Sequence, residues 1–474
     1  MKIKSVKNNF IFNSMYQISN ILVPLVTLPY LSRVLHAEGL GAYSFAYSVA
    51  YYFYLFVRLG LNNYGNRTVA QIRDDSEKLS RVFIEIYMMQ LLLGVIVTIL
   101  YLFYCVFIAQ DKLLAFIFML MVISGSIDLT WMLYGLEEFV VTSIRDMTVK
   151  VATALLIFLL VKDAGDVWKY ALIYSVGFFV SQVVALPIVK GRVHFIKPAI
   201  GNVIQHLKPN LILFLPTIAV SIYKTMDKVM LGSMTNDVEL GYYHGCENIT
   251  RVPLALVTAL GTVMLPRMTN MLSKSDNQEN IDALFNKSIM FAMFISTSTC
   301  IGIMTVAREF VPLFFGEGFE KCILLFWIIL PSCIFLAFAN VIRTQFLLPR
   351  KRDKLFVISL FSGAVINVIL NLLLIPRFAS VGAALGTLAA EIVVCVVQAA
   401  CVFKEANIGR NILNSIPFVF SGIVMFVVFH NYAPPIGNTL AALVLKIVIC
   451  GMLYCAVLGV VIVLKRTIVR RRKL

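Results

Sequence analysis

The sequence predicts an all-α integral membrane protein with fourteen transmembrane helices, and three observations carry this prediction. Hydrophobic residues make up 60% of the 474 residues and charged residues only 14%, which is far from the composition of soluble domains. Apolar runs of about 20 residues, long enough to span a hydrocarbon core, recur from one end of the chain to the other. Lys and Arg residues concentrate in alternate connections between these runs.

The apolar runs can be placed individually between loop signals. The predicted spans cover residues 10–35, 40–60, 82–108, 112–136, 146–161, 167–189, 209–232, 238–266, 286–306, 322–347, 355–375, 382–403, 412–431 and 438–464. The first run lacks a small-residue cleavage site, so we expect an anchor that stays on the protein and not a cleaved signal peptide. The even number of spans places both termini on the same side.

The basic residues indicate which side that is. Most of the 41 Lys and Arg residues lie in the terminal segments and in the loops on the side of the termini. The main clusters are Lys2, Lys4 and Lys7, the loop 67–81, the loop 350–352 and the tail 470–473. The positive-inside rule therefore predicts that both termini are cytoplasmic. Topology and attraction to anionic membrane lipid account for the net charge of +16, so no nucleic-acid partner is expected.

Several classes of protein are disfavoured. The loops on the opposite side are short, the longest running over about 308–321, which leaves no room for the catalytic domain of a membrane polymerase or glycosyltransferase. No Gly-rich phosphate loop is present, and the nine cysteines are scattered without a metal-ligand pattern. We therefore predict a protein that is not an enzyme and that has no cofactor, apart from a coupling proton or sodium ion.

A short internal repeat predicts the lobe organisation. The segment 38–43 at the start of span 2 matches the segment 239–243 at the start of span 8, an offset near 200. We therefore expect two pseudo-symmetric six-helix lobes around a central cavity, followed by two further helices. The predicted boundaries are 1–200 for the first lobe, 201–405 for the second, and 406–474 for the last two helices and the basic tail.

Ionisable residues inside spans are the best guides to function, because a charge in hydrocarbon is costly unless it is paired or faces water. Lys224, Asp227 and Lys228 share one face of span 7, and Glu247 and Arg251 lie one turn apart on span 8. Three cations against two carboxylates favour an anionic head group such as a diphosphate. The predicted substrate-binding residues are Arg33, Lys224, Lys228 and Arg251. Alternatively, Asp227, Lys228 and Glu247 form a structural ion network.

Two deeper carboxylates have no basic neighbour in sequence. Asp128 in span 4 and Glu391 in span 12 are candidates for coupling to a proton or sodium gradient, or for a buried hydrogen bond that locks a helix. Arg58, at a span end, is expected to snorkel to the interface, and Lys446 in span 14 either snorkels or faces a lipid groove. These assignments rest on depth along a helix alone.

Aromatic residues of span 2 form a regular stripe. Tyr47, Tyr51 and Tyr54 follow one another at spacings of four and three, which places them on one helical face. Such a stripe can stack on sugar rings or pack inside the protein. Both interpretations stay open at the level of the sequence.

Three blocks of sequence resemble a known family, the Wzx-type flippases that carry capsular and O-antigen repeat units. The blocks are 128–139 with its aspartate, tryptophan and Gly-x-Glu pattern; 226–232 with 240–243 and 259–267; and 340–345 with Pro376 and 382–384. The similarity extends from about Arg33 to Gln398.

The resemblance has definite implications. It implies the multidrug/oligosaccharidyl-lipid/polysaccharide exporter fold, alternating access, an undecaprenyl-diphosphate-linked oligosaccharide as cargo, and a bacterial cytoplasmic membrane. It also implies polymerase and chain-length proteins of the same pathway as partners. The alternatives are a cation-coupled drug or metabolite exporter of the same fold, which should carry mainly carboxylates in its cavity, and a flippase for lipid-linked peptidoglycan precursors.

Overall fold

The described part of the chain is helical throughout. The structure is a computed structural model that describes residues 6–194, 196–273, 278–432 and 440–471, and these ranges contain no β-strand. Lys2, Lys4 and the end of the basic tail lie outside the described residues. The helices are α1 (Val6–Arg58), α2 (Leu61–Ile72), α3 (Ser76–Phe107), α4 (Lys112–Ser126), α5 (Thr130–Gly135), α6 (Phe139–Leu160), α7 (Val167–Lys190), α8 (Ile200–Gln205), α9 (Leu207–Met234), α10 (Asp237–Ser273), α11 (Gln278–Phe315), α12 (Lys321–Ile342), α13 (Asp353–Phe378), α14 (Ser380–Cys401), α15 (Ile408–Phe429) and α16 (Leu440–Arg471).

The membrane class is confirmed. Among the described residues, twelve helical stretches are long and apolar enough to cross a membrane. One of these, Met15–Ile72, contains both of the first two predicted spans. Helix α6 covers the predicted fifth span but is not among the twelve, because it carries Arg145, Asp146 and Lys150. The count of fourteen spans therefore stays a prediction.

A sharp kink divides α1 at the boundary predicted between spans 1 and 2. His36 has φ 56° and ψ −176°, a conformation that side-chain-bearing residues rarely adopt. The segments 6–35 and 37–58 are thus two helices joined end to end. Pro24 and Pro29 lie in the first segment, where each removes one backbone hydrogen bond.

The chain forms two compact units. The first unit contains Met1–Gly232 and Asn236–Gly241, and the second contains Ser233–Thr235 and Tyr242–Leu474. The first unit thus includes residues 201–232, which the sequence analysis assigned to the second lobe. The predicted lobes are defined by an internal repeat, whereas the two units are defined by packing. The units therefore do not test the lobe boundaries, which stay a prediction.

Each unit has its own apolar core. In the first unit, buried side chains of α2, α3 and α5, among them Phe83 and Trp131, pack together next to the end of α7. In the second unit, α11, α12, α15 and α16 surround a core that includes Phe338 and Tyr454. Many large apolar side chains remain exposed along α3 and α16, as expected of helices whose outer faces contact lipid.

Two glycines of the first unit mark a very close helix crossing. A Cβ atom on Gly41 would overlap the backbone carbonyl of Asp237, and a Cβ atom on Gly241 would overlap the backbone carbonyl of Ala37. Residue 41 thus meets residue 237, and residue 241 meets residue 37. Adding 200 to 37 and 41 gives 237 and 241, so the two contacts are related by the offset of the sequence repeat. Only glycine lets the backbones of these two helix starts approach so closely.

Candidate functional site: charged side chains inside the helices

A buried ion pair joins the end of α1 to the end of α4. The Nε atom of Arg58 lies 3.0 Å from Oδ2 of Asp128, and the side chains are only 12% and 1% exposed. Arg58 also donates a hydrogen bond to the Tyr54 hydroxyl (2.7 Å), which in turn donates to Asp128 Oδ2 (2.8 Å). The expectation that Arg58 snorkels to the interface is wrong, because its guanidinium turns inward to neutralise Asp128.

Neighbouring groups hold this pair in place. The backbone N–H of Thr130 donates to Asp128 Oδ1 at 2.8 Å, which satisfies the second carboxylate oxygen. Gln90 donates to the backbone carbonyl of Asp128 at 3.0 Å and accepts a hydrogen bond from the Trp131 indole at 2.9 Å. The Trp131 ring lies directly against Gly65, where a Cβ atom would collide with it. Asp128 is therefore a fixed part of a helix junction.

The rest of the 128–139 block ties connecting segments together. Glu137, which has φ 58°, forms an ion pair with Arg73 (2.6 Å), and Glu138 forms one with Arg192. A Cβ atom on Gly135 would press into the Val69 side chain, so glycine allows α5 to pack tightly on α2. The Gly-x-Glu pattern thus contacts α2 and the segment that follows it, and Glu138, the next residue, contacts the segment that follows α7.

A second buried ion pair lies on α6. Arg145 Nε donates to Asp146 Oδ1 at 2.9 Å, and the Arg145 side chain is 4% exposed. Ser181 of α7 donates to the same carboxylate oxygen at 2.7 Å, and Arg145 also contacts the Thr130 hydroxyl at 3.5 Å. The first unit therefore contains two adjacent buried pairs, connected through Thr130.

A third polar cluster connects α8 and the residue that follows it to α2 and α3. His206 Nε2 lies 3.2 Å from Glu85 Oε2, and its Nδ1 lies 2.6 Å from the Tyr64 hydroxyl. Asn202 donates to the other Glu85 oxygen at 2.9 Å. Sequence analysis missed Tyr64, Glu85, Asn202 and His206, because their partners lie more than a hundred residues away. It also missed Arg145, which lies next to its partner Asp146 but just before the predicted fifth span.

The predicted residues of α9 fall into different environments. Lys224 is exposed, whereas Asp227 and Lys228 are 3% and 4% exposed. Arg33 on α1 is exposed as well and donates a hydrogen bond to the Pro29 carbonyl at 2.7 Å. All four belong to the first unit. The structure therefore separates the predicted face of α9 into one exposed cation and a buried pair of opposite charges.

The remaining predicted residues belong to the second unit. Arg251 lies 3.4 Å from Glu247 one turn away, and its side chain is 48% exposed. Glu391 is buried in α14 at 5% exposure. Assembly of the charges of α9 and α10 into one binding patch stays a prediction, as does ion coupling at Asp128 or Glu391.

Lys446 is buried, contrary to both expectations for it. Its ammonium donates to Glu309 Oε1 at 2.7 Å, and its side chain is 0% exposed. Two turns further along α16, the Tyr454 hydroxyl lies 2.7 Å from the Thr297 hydroxyl of α11. Lys446 therefore neither snorkels nor faces lipid, because α16 docks on α11 through polar contacts.

The tyrosine stripe of α1 points into the first unit. Successive rings of Tyr47, Tyr51 and Tyr54 stack with centroids 6.0 and 6.3 Å apart. Tyr174 of α7 meets Tyr47 edge to face at 5.5 Å. Tyr54 is buried, so packing inside the protein accounts for its position. Tyr47 and Tyr51 are half-buried, which leaves their side chains partly accessible.

Comparisons with known proteins agree with this architecture. The chain is 24% identical over 396 residues to the proposed O-antigen transporter of Escherichia coli (strain K12), covering 82% of this chain and 95% of that protein. Among solved structures, lipid II flippase MurJ in an inward closed conformation superposes with a TM-score of 0.71 at 15% identity, covering 94% of this chain and 98% of MurJ.

A second fold relative is an inward-facing multidrug resistance MATE family transporter of the MOP superfamily. It superposes with a TM-score of 0.58 at 13% identity, covering 82% of this chain and 98% of that chain. These superpositions establish the transporter fold. The family model for polysaccharide biosynthesis proteins matches residues 6–272, which is more than half of the chain. The chain therefore belongs to the polysaccharide biosynthesis protein family.

Proposed function

We propose that this protein is a flippase that moves undecaprenyl-diphosphate-linked oligosaccharide units from the cytoplasmic to the outer leaflet by alternating access. One observation carries the proposal: Arg33, Lys224 and Arg251 have exposed side chains although they lie within the long helices α1, α9 and α10, whose composition is largely apolar. A cation exposed to hydrocarbon costs several kcal/mol, roughly 3 kcal/mol on insertion scales. These side chains therefore face water or an anionic group during part of the transport cycle.

The chemistry of these residues fits a diphosphate. Arg presents a planar fork that binds phosphate oxygens in pairs, whereas Lys acts as a compact point charge. Lys224 and Arg251 lie about midway along α9 and α10, where a diphosphate would cross the membrane interior. No covalent step is needed, because the cargo is moved and not changed.

The relatives support a lipid-linked sugar as cargo. The E. coli relative is described as an O-antigen transporter and MurJ as a lipid II flippase. The sugar part and the prenyl tail differ in polarity, so the tail can stay in lipid while the sugars pass through water.

Topology and location complete the proposal. The bias of Lys and Arg supports fourteen spans with both termini cytoplasmic in a bacterial cytoplasmic membrane. The polymerase and chain-length proteins of the same pathway are natural partners, because a flipped repeat unit must be consumed on the outer side.

A drug exporter of the same fold is the second candidate, and the MATE likeness in fold is its only support. Such an exporter binds organic cations most readily through carboxylates. Here Arg33, Lys224 and Arg251 are exposed, whereas the carboxylates Asp128, Asp227 and Glu391 are buried. The charge signs therefore favour anionic cargo.

Substitution of the exposed cations tests the proposal. In cells that depend on this protein for surface polysaccharide, Lys224→Ala and Arg251→Ala should each abolish export and cause lipid-linked repeat units to accumulate on the cytoplasmic leaflet. Arg81→Ala is a matched control, since Arg81 is an exposed cation paired with Glu77 near the start of α3. Normal export by both variants, at wild-type protein levels, would contradict the proposed role of the cations.

The geometry of phosphate binding has its own test. Arg251→Lys keeps the charge but loses the two-pronged contact, so export should recover only in part. Full recovery would show that charge alone is needed at this position.

A further inference from the structure

The first turns of α9 are pressed against the corner between α1 and α2. Gly60 forms this corner, and a Cβ atom there would lie 2.5 Å from the backbone oxygen of Asn210 and 2.7 Å from the carbonyl carbon of Leu213. Gly60 has φ −90°, so the lack of space, and not the backbone conformation, requires glycine. The two backbones approach this closely only because residue 60 has no side chain.

Side chains extend the contact along α1. Phe56, one turn before Gly60, meets Phe214 edge to face with ring centroids 5.5 Å apart. One turn earlier still, the Tyr52 hydroxyl donates a hydrogen bond to the backbone carbonyl of Ser221 at 3.1 Å. Along this seam the residue numbers fall on α1 while they rise on α9, so the two helices run antiparallel.

A polar contact holds the start of α9. His206 directly precedes the helix, is 7% exposed, and contacts Tyr64 of α2 at 2.6 Å and Glu85 of α3 at 3.2 Å. We call Gly60, Tyr64 and Glu85, together with His206 and Asn210, the inner clasp. All five residues belong to the first unit. The bias of Lys and Arg predicts that this end of the helices is cytoplasmic.

Asn210 is poorly suited to a permanent contact. Its side chain is 0% exposed, and neither atom of its amide group has a hydrogen-bond partner among the described residues. Burial of an unpaired amide costs free energy, because its hydrogen bonds to water are lost without replacement. Asn411 is likewise the fourth residue of its helix, α15, but its Nδ2 atom donates to two backbone carbonyls. Separation of the clasp would return the Asn210 amide to water.

Helix α9 contains a site at which it can bend next to the clasp. Pro216 lies inside the helix, six residues after Asn210, and its nitrogen cannot donate to the Ile212 carbonyl. Sharp bends in helices occur mostly at such prolines. The hydrogen bond between Tyr52 and Ser221 lies on the other side of Pro216. A bend at Pro216 can therefore free the first turns of α9 while the later turns stay on α1.

We propose that the inner clasp is a reversible latch, which opens by a bend of α9 at Pro216 and thereby unseals the inner end of the path of the cargo. The predicted repeat assigns α9 to the second lobe, although its first turns pack in the first unit. Alternating access between the predicted lobes therefore requires this contact to break. The inference rests on the proposed function, because it names the contact that is released before cargo enters.

Chemical labelling of residue 210 tests the inference. Cys401→Ser and Cys455→Ser first remove the two exposed cysteines, and Asn210→Cys then places a thiol inside the clasp. The full-length protein in lipid nanodiscs is treated with a water-soluble maleimide, and mass spectrometry follows the labelling. Asn210→Cys should react about tenfold faster than Asn411→Cys, because its site opens whereas the matched site on α15 stays buried.

Two further substitutions should change this rate in opposite directions. Gly60→Ala adds a methyl group that meets the Asn210 carbonyl, so it should hold the clasp open and raise the labelling rate. Pro216→Ala restores the missing backbone hydrogen bond, so it should lower the rate. Gly302→Ala on α11 is the control, since a Cβ atom there meets nothing within 4 Å. A wild-type elution profile in size-exclusion chromatography establishes that each variant is folded.

Labelling of Asn210→Cys that is as slow as labelling of Asn411→Cys would overturn the inference. A rate that neither Gly60→Ala nor Pro216→Ala changes would overturn it as well. Neither result bears on the proposed function, which depends on export by the Lys224 and Arg251 variants. Conversely, if those variants export normally while the labelling behaves as expected, the clasp opens in a protein that carries a different cargo.

Discussion

At the scale of single residues, the pairing of Asp128 with Arg58 changes how this carboxylate is understood. Its depth in an apolar helix was visible in the sequence and made it a coupling candidate. Its partner lies 70 positions earlier, and a single sequence gives the face and depth of a residue but not which helix lies opposite. The structure supplies a neutralising cation and two groups that donate hydrogen bonds to the carboxylate, the Tyr54 hydroxyl and the Thr130 N–H. Protonation of Asp128 would therefore leave the Arg58 guanidinium without its counter-charge.

Replacing one member of this pair should lower the free energy of unfolding more than replacing both members does. Asp128→Asn leaves a buried guanidinium uncompensated and should lower the free energy of unfolding by about 3–5 kcal/mol, whereas Arg58→Met with Asp128→Leu should cost clearly less. The measurement is thermal unfolding of the purified wild-type protein, the single variant and the double variant. Equal costs for the single and double variants would contradict the pairing.

An exposed pair provides the comparison. Arg352 donates two hydrogen bonds to Glu405, at 2.9 and 2.7 Å, and they lower the pKa of Glu405. Because both groups contact water, Arg352→Ala should change stability far less than Asp128→Asn does, as is usual for surface pairs.

At the scale of helices, the sequence predicted the middle of each helix better than the residues at which the helix begins and ends. The predicted span 286–306 corresponds to α11, which runs over Gln278–Phe315. Hydropathy marks only the part of a helix that lies in hydrocarbon, and backbone hydrogen bonding continues into polar segments. Conversely, α6 is an uninterrupted helix despite Arg145, Asp146 and Lys150, because ion pairing and aromatic contact compensate for charge inside the protein.

The close crossing near the starts of span 2 and span 8 makes a prediction about glycine. Gly41→Ala and Gly241→Ala should each destabilise the protein by roughly 1–3 kcal/mol, because the new methyl group meets a backbone carbonyl that cannot rotate away. Gly302→Ala on α11 is the control, since a Cβ atom there meets nothing within 4 Å. Thermal unfolding of the three variants measures the difference. Unchanged stability of Gly41→Ala would refute the close approach.

At the scale of the whole molecule, the sequence predicted the membrane class and the family. It did not predict the two buried clusters around Arg145 and His206, which depend on how helices face one another. The exposed cations bear on the energy source of transport. An inside-negative potential draws positive charge towards the cytoplasm and is worth about 2.3 kcal/mol per charge per 100 mV. An empty carrier should therefore be biased to face inward.

This bias predicts how transport responds to potential. In liposomes without proton or sodium gradients, transport should fall when the potential is clamped to zero, because cargo binding neutralises the cations and only the empty carrier is moved by the field. If transport instead requires a proton or sodium gradient and ignores the potential, the field-driven scheme fails, and Glu391 becomes the first carboxylate to substitute.

The reciprocal contact of the two glycines has the offset of the predicted internal repeat. Residue 41 meets residue 237 and residue 241 meets residue 37, which is the pattern of an isologous interface between two identical subunits. Each glycine meets a backbone carbonyl and not a side chain, so Ala37 and Asp237 can differ completely while making the same contact. The predicted repeat therefore requires only the two glycines at this crossing, while the residues that they meet are free to differ.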